Sequence, residues 1–271
     1  MFLPENIDLA NSENYNLSIR LAPNGFSFYI NSPSDPSVFY FQETSIGTKL
    51  SYLESIKKLV FDLGIFSNTY NKSSIFVVSK NYTLVPDQFF DQKLSRELFN
   101  FNFQAPDGVI LNDKSQNSDY HIVFNIDEEV YSFLKRHLCN PTLHHHSTSL
   151  IQSFRNKEPN RASKECFIDF HDEYITVVCF SENKLLTANT FAETNTSNIL
   201  YYVMGVWNKL GFDQEIDKLY LSGKIELQHM VGGELKSMIK NIENFELKPI
   251  TTLSKEQMQK VPTDLIATLC V

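Results

Sequence analysis

Apolar and polar residues alternate from Leu17 to Ile30 on both sides of Pro23-Asn24-Gly25, which predicts two strands joined at a turn where Gly25 can take positive φ. The Ser-, Pro- and Asp-rich stretch 31–37 reads as a loop, and Val38 to Ile46 supplies a third strand with three aromatics. The period then changes. From Thr48 onward Leu50, Leu53, Ile56, Leu59, Val60 and Leu63 recur at helical spacing, and Gly64 stands where a C-terminal cap belongs. Ser74 to Ser79 is a short apolar run of the kind buried on both faces of a sheet. Pro86 is predicted to open a second helix bearing Phe90, Leu94 and Leu98, followed by an irregular insertion near 100–118. Tyr120 to Ile126 reads as a strand and Asp127 as the cap of a helix, with Glu128 and Glu129 early and Lys135, Arg136 and His137 late, a charge order that complements the helix dipole. Thr142 to Thr148 is predicted as a strand, with a short helix over 149–154.

The second half follows the same plan after a polar linker over 155–164. Cys166 to His171 and Tyr174 to Ser181 form a hairpin, and Lys184 to Phe191 is the third strand. A helix begins near Thr196, carries Ile199, Tyr202, Val203, Val206 and Leu210 on one face and ends at Gly211. Lys218 to Ser222 matches the buried strand of the first half. Gly232-Gly233 is read as an interruption before a helix bearing Leu235, Met238, Ile239 and Ile242; a last strand over 245–250 and a last helix over 255–270, broken near Pro262, complete the chain. The order of elements therefore predicts an α/β protein of two similar halves, 1–160 and 161–271, each a mixed sheet flanked by helices.

The 271 residues suffice for a substantial core, and 42% hydrophobic residues with 22 Phe and 12 Tyr describe an ordered globular chain. A formal charge of -8 opposes broad attraction to nucleic acid or anionic lipid. The four cysteines lie far apart without a CxxC pair, so neither a disulfide framework nor a zinc site is signalled. The acidic, polar start lacks the pattern of a signal peptide, and the longest apolar run, Ile199 to Trp207, is too short to span a bilayer. The expectation is a cytoplasmic protein without membrane insertion.

A twice-repeated β-β-β-α-β-α unit resembles the actin, sugar-kinase and heat-shock-chaperone ATPase superfamily, a ribonuclease H-like fold. The chain is similar to a Bacteroidetes family of unknown function with a divergent actin-like fold, and more loosely to the cytoplasmic actin-like proteins that help assemble type IV pili. The resemblance implies ATP with Mg²⁺ held between the halves by an Asp-x-Gly hairpin from each and a Gly-Gly loop late in the second. In the first hairpin Arg20 stands where an acidic residue is wanted, bringing a cation and no acceptor. The second hairpin keeps Asp169, but His171 replaces the Gly that would let backbone N–H groups approach phosphate. At the adenosine loop Gly223 is followed by Lys224 rather than a second Gly, with Gly232-Gly233 as a less well-placed substitute. The resulting expectation is a non-catalytic binding or assembly protein with an eroded nucleotide site and a protein partner. The alternative is a working ATPase or phosphotransferase in which Asp169 positions Mg²⁺ and a water. A third reading, a small-molecule sensor, follows only from the tendency of ligands to lie at domain interfaces.

Other clusters read more plainly. In a strand, His144 and His146 would share a face and ligate a metal only with a third partner, so no metal site is assigned to them. Asp169, His171, Asp172 and Glu173 crowd one turn, where acidic residues collect through local hydrogen bonds. P-loop, Rossmann, hydrolase-elbow and zincin motifs are absent from the sequence.

Overall fold

The computed structural model describes the chain apart from residues 1–3, 5, 48, 65, 67, 105–106, 116–117, 158–162, 172, 194 and 271. Thr48, Asp172 and the middle of the expected linker therefore lie outside the described residues. Two compact units are formed, residues 1–149 with 249–269, and residues 150–248 with 270–271.

In the first unit, strands β1 (Asn16–Ala22), β2 (Gly25–Asn31) and β3 (Phe39–Ser45) precede helix α1 (Tyr52–Leu63) and strand β4 (Lys72–Val77). A second run comprises β5 (Tyr82–Pro86), α2 (Ser95–Asn100), β6 (Val109–Asp113) and β7 (Tyr120–Ile126), followed by α3 (Glu128–His137) and β8 (Thr142–His145), with α4 (His146–Arg155) leading out of the unit. The main sheet has the order β3-β2-β1-β4-β8, with β1 antiparallel to β2 and parallel to β4. The β1–β2 turn closes from Ala22 to Gly25 without positive φ at the glycine. Helix α1 starts four residues later than Thr48: Ser51 and Glu54 form a capping box, and Gly64 ends the helix at φ 65. Leu50 accordingly lies before the helix and is exposed, while Ile56 and Val60 are buried.

The separate sheet is wider than the expected insertion near 100–118: β5, β7 and β6 pair in the order β5-β7-β6 over a small core of Val85, Phe99 and Val123, and only β6 falls within those bounds. This corrects the expected helix at Pro86. Proline closes the edge strand β5, where a missing N–H is tolerated, two single-turn 3-10 segments follow, and α2 begins only at Ser95. His146 also departs from expectation, because β8 ends at His145 and His146 starts α4, so His144 and His146 do not share a strand face.

The second unit contains β9 (Glu165–Phe170), β10 (Ile175–Ser181), β11 (Lys184–Phe191), α5 (Thr196–Lys209), β12 (Lys218–Gly223), α6 (Ile225–Leu235) and β13 (Asn241–Asn244). Its sheet, β11-β10-β9-β12-β13, has the strand directions of the first in all four pairings: β10 is antiparallel to β11 and β9, and β12 is parallel to β9 and β13. Trp207, Phe170, Ile168, Leu219, Val231 and Leu235 belong to its core. Gly232-Gly233 does not interrupt the chain but lies inside α6, where a Cβ on Gly232 would stand 3.1 Å from Leu221 Cδ1, so the glycine permits close approach of helix and strand. Ile242 belongs to β13 rather than a helix, and the segment 245–250 forms no strand. Helices α7 (Lys255–Lys260) and α8 (Thr263–Thr268) return to the first unit, separated at Pro262 as expected. Among the described residues no helix is long and apolar enough to cross a membrane.

Candidate functional site

Arg20 and Asp169 occupy the same rung of their respective sheets. Arg20 faces Ser27 on β2 and Phe76 on β4, one step before the β1–β4 pairing ends; Asp169 faces Thr176 on β10 and Ser222 on β12, one step before the β9–β12 pairing ends. The alternation of strand side chains then fixes what each can reach.

In the first unit Arg20 Nε donates to both oxygens of Asp264, at 2.9 and 2.8 Å. Asp264 lies in the short apolar helix α8 and is 2% exposed, and its Oδ1 also accepts the backbone N–H of Leu265 at 2.9 Å. His146 Nδ1 stands 3.5 Å from Asp264 Oδ2, and His145 and His146 both place Nε2 on the carbonyl of Ser79, at 3.0 and 3.2 Å. Burial, helped by the neighbouring His146, holds His145 well below the usual histidine range, with the Ser79 carbonyl and Asp264 opposing. Burial likewise raises the Tyr52 phenol, against the pull of the Arg20 charge. A second tie, Tyr29 hydroxyl to Thr268 hydroxyl at 2.6 Å, fastens α8 to β2.

In the second unit Asp169 is fully buried. Its Oδ1 accepts the Ser222 hydroxyl at 2.7 Å, and its Oδ2 lies 2.7 Å from His171 Nε2, whose ring stacks on Tyr174. Gly223 closes this corner. With φ at 84, a Cβ on it would stand 2.2 Å from Phe170 O and 3.0 Å from Asp169 Oδ1, so only glycine fits. The Lys224 N–H donates to Phe170 O at 2.9 Å, and Gln228 Nε2 donates to Gly223 O at 2.7 Å. The five residues Arg20, Asp169, His171, Gly223 and Lys224 thus fall into two groups: Arg20 in the first unit, the other four around the end of β9 and β12 in the second.

Beyond that corner, a cavity of about 450 Å³ lies in the second unit between α6, β12 and β13, lined by Leu221, Gln228, His229, Gly232, Gly233, Lys236, Ile242 and Asn244. Its size is that of a small-molecule site, with Gln, His, Lys and Asn as polar groups. Asp169 shows solvent no oxygen surface through which hydrated Mg²⁺ would be held. The His144–His146 run divides: His144 bonds Asp113 and Thr142, while His145 and His146 are buried on Ser79. Among the described residues no group of three or more His, Cys, Asp or Glu is arranged to hold a metal.

Asp264 and Ser222 were not singled out from sequence, and His146 was considered only as a possible metal ligand. Asp264 carried one signal, a lone charge immediately before the apolar stretch Leu265-Ile266-Ala267, which must find a partner if the helix is buried.

Two sheets with matching strand order, each flanked by helices, together with hairpins carrying Arg20 and Asp169 on the same rung, define an α/β protein of the actin-like ATPase fold. The chain belongs to the DUF3822 family of proteins of unknown function, whose profile matches residues 4–242. It is similar to a crystal structure from Bacteroides thetaiotaomicron VPI-5482, a protein with actin-like ATPase fold and unknown function, with a TM-score of 0.84 and 29% identity over 97% of this chain and 98% of that one. A chain of the PilM-PilN type IV pilus biogenesis complex is similar with a TM-score of 0.59 and 11% identity, over 94% and 96% of the two chains, which is a likeness of fold. A sequence search of curated proteins returns no match.

Proposed function

We propose that this chain is a non-catalytic binding or assembly protein in the cytoplasm, in which both hairpin positions associated with phosphate chemistry have become internal ties. The observation that carries this reading is that each key side chain is already answered from within its own unit: Arg20 by Asp264, and Asp169 by Ser222 and His171. A carboxylate that is fully buried, with one oxygen on the Ser222 hydroxyl and the other 2.7 Å from His171 Nε2, gives no access to the water shell of Mg²⁺. The phosphate-binding role of the strand end is similarly weakened, because the Lys224 N–H is committed to Phe170 O. An assembly role for this fold has a precedent in the PilM-PilN type IV pilus biogenesis complex.

A second reading is favoured by the 450 Å³ cavity beside Gly232-Gly233, which is large enough for a nucleotide base and would suit an ATP-binding ATPase or phosphotransferase. Thermal unfolding with increasing Mg-ATP separates the two. A ligand at a hundredfold excess over its Kd stabilises the folded state by about 2.7 kcal/mol, a rise of roughly 5 to 10 °C for a chain of this size. The binding-protein reading expects no rise at millimolar Mg-ATP; a saturable rise that Asp169→Asn removes overturns it.

A further inference from the structure

Helices α1 and α3 meet along a short seam where one large apolar side chain stays in solvent. Phe61, on the last turn of α1, is 62% exposed, although its ring meets Phe133 at 5.8 Å and His137 at 5.4 Å, both edge-on. Lys57, one turn earlier, holds its ammonium 5.9 Å above the Phe133 ring. Lys58 is exposed beside it, and Arg136 of α3 is exposed next to His137, its Nε donating to the Ser132 carbonyl. A single exposed Phe is ordinary. Here, however, its ring is braced by two other rings, Lys57 and Lys58 precede it by four and three positions on α1, and Arg136 adjoins His137 on α3; none of the three forms an ion pair among the described residues, although the Lys57 charge adds to the Ser51 hydrogen bonds that hold the Glu54 carboxyl low. Of the α1 carboxylates, Glu54 is held in the capping box with Ser51 and Asp62 follows Phe61. The patch thus joins an apolar anchor to three cations, Lys57, Lys58 and Arg136, that outnumber the flanking carboxylates Glu54 and Asp62, on a chain of formal charge -8.

We infer that this surface docks a short acidic segment of a partner protein, with an aromatic or aliphatic side chain of that segment set against Phe61 and its carboxylates on Lys57, Lys58 and Arg136. Size and charge favour that occupant. Neighbouring positions on a helix face lie about 5 to 6 Å apart, so the patch is on the order of 10 Å across, the reach of three or four extended residues. Exposed charges are screened beyond about 8 to 10 Å at physiological salt, so a short segment feels the local cations while a long polyanion also meets the negative surplus elsewhere. Aromatic and arginine side chains are the residues on which binding energy concentrates at protein interfaces. This inference rests on the binding-protein reading and names the surface it uses.

The test is fluorescence polarisation with a fluorescein-labelled synthetic peptide of Glu and Asp flanking a central Leu. Wild type is expected to bind it saturably, more weakly as salt rises. Lys58→Glu combined with Arg136→Glu should weaken binding by at least about tenfold, and Phe61→Ser by a similar factor, with melting temperatures lowered by only a few degrees, since the losses are confined to the Phe133 and His137 ring contacts and to exposed helix charges. No binding by wild type up to millimolar protein, or undiminished binding by the charge-reversed variant, overturns the proposal. So does tighter, patch-dependent binding of an oligothymidine or of phosphatidylserine vesicles. Binding of the peptide alongside stabilisation by Mg-ATP would leave the surface standing and remove the non-catalytic reading, so the two failures are distinguishable.

Discussion

Removing the Asp264 charge should expose how much of the first unit depends on an internal ion pair. In Asp264→Asn the shape is kept, but Arg20, only 9% exposed, loses the carboxylate whose oxygens lie 2.8 and 2.9 Å from its Nε. Breaking a buried pair from one side costs about 3 to 5 kcal/mol, because the remaining charge stays desolvated without a counter-ion. For a chain of this length that is a fall of roughly 6 to 20 °C in melting temperature. Arg20→Met should cost less, since Asp264 keeps His146 Nδ1 at 3.5 Å and the Leu265 N–H. Replacing both, Arg20→Met with Asp264→Asn, removes both desolvated charges and should cost at least about 2 kcal/mol less than the sum of the two single changes in the double-mutant cycle. Native-state hydrogen exchange of β1 and β2 amides is the suitable assay. The single tryptophan, Trp207, lies in the core of the second unit, so its fluorescence reports on the wrong region. An Asp264→Asn cost below about 1 kcal/mol would show that the carboxylate is not the counter-ion of Arg20 and would refute the internal tie.

Three further outcomes follow from the same geometry. Gly223→Ala must place a methyl 2.2 Å from Phe170 O at a φ of 84, so a loss of at least about 3 kcal/mol is expected in urea titration; Gly64→Ala, also at positive φ but with open space around it, should cost only roughly 1 to 2 kcal/mol. His145 titrates lower in the folded chain than in the unfolded one, where histidine sits near 6.5, so between the two values the unfolded state holds the extra proton and stability falls as pH drops below about 6.5. Urea midpoints measured from neutral pH to pH 5 should therefore decline for wild type and decline less for His145→Asn; parallel declines would show that another group carries the effect. Ser51→Ala, which removes the acceptor for the Glu54 N–H, should lower stability by about 1 kcal/mol in the same titration, and an unchanged midpoint would show that the capping box contributes nothing.

Where local chemistry decides, the fold could be read from the chain. The Leu17–Ile30 strand pair, the Gly64 and Gly211 helix ends and the Asp127 cap all depend on neighbours within a few residues, and each is found, although the helix ending at Gly64 starts at Tyr52 rather than Thr48. The misreadings share a cause. Pro86 signals a helix start only if nothing pairs with the residues before it, and Tyr120 lies opposite it on β7. Gly232-Gly233 looks like a break until Leu221 is seen to need the space. At the candidate site, Asp169 and Gly223 were visible as positions that keep a resembled pattern and Arg20, His171 and Lys224 as departures from it, but their partners were not. Asp264 is 244 positions from Arg20 and Ser222 is 53 from Asp169, separations that no local period encodes.

Whether the second unit's carboxylate still serves a nucleotide is settled most directly by isothermal calorimetric titration of the wild-type chain with Mg-ATP. With Asp169 buried against Ser222 and His171, no saturable heat should appear at millimolar nucleotide. A saturable binding isotherm with one-to-one stoichiometry, lost in Asp169→Asn, would contradict the account.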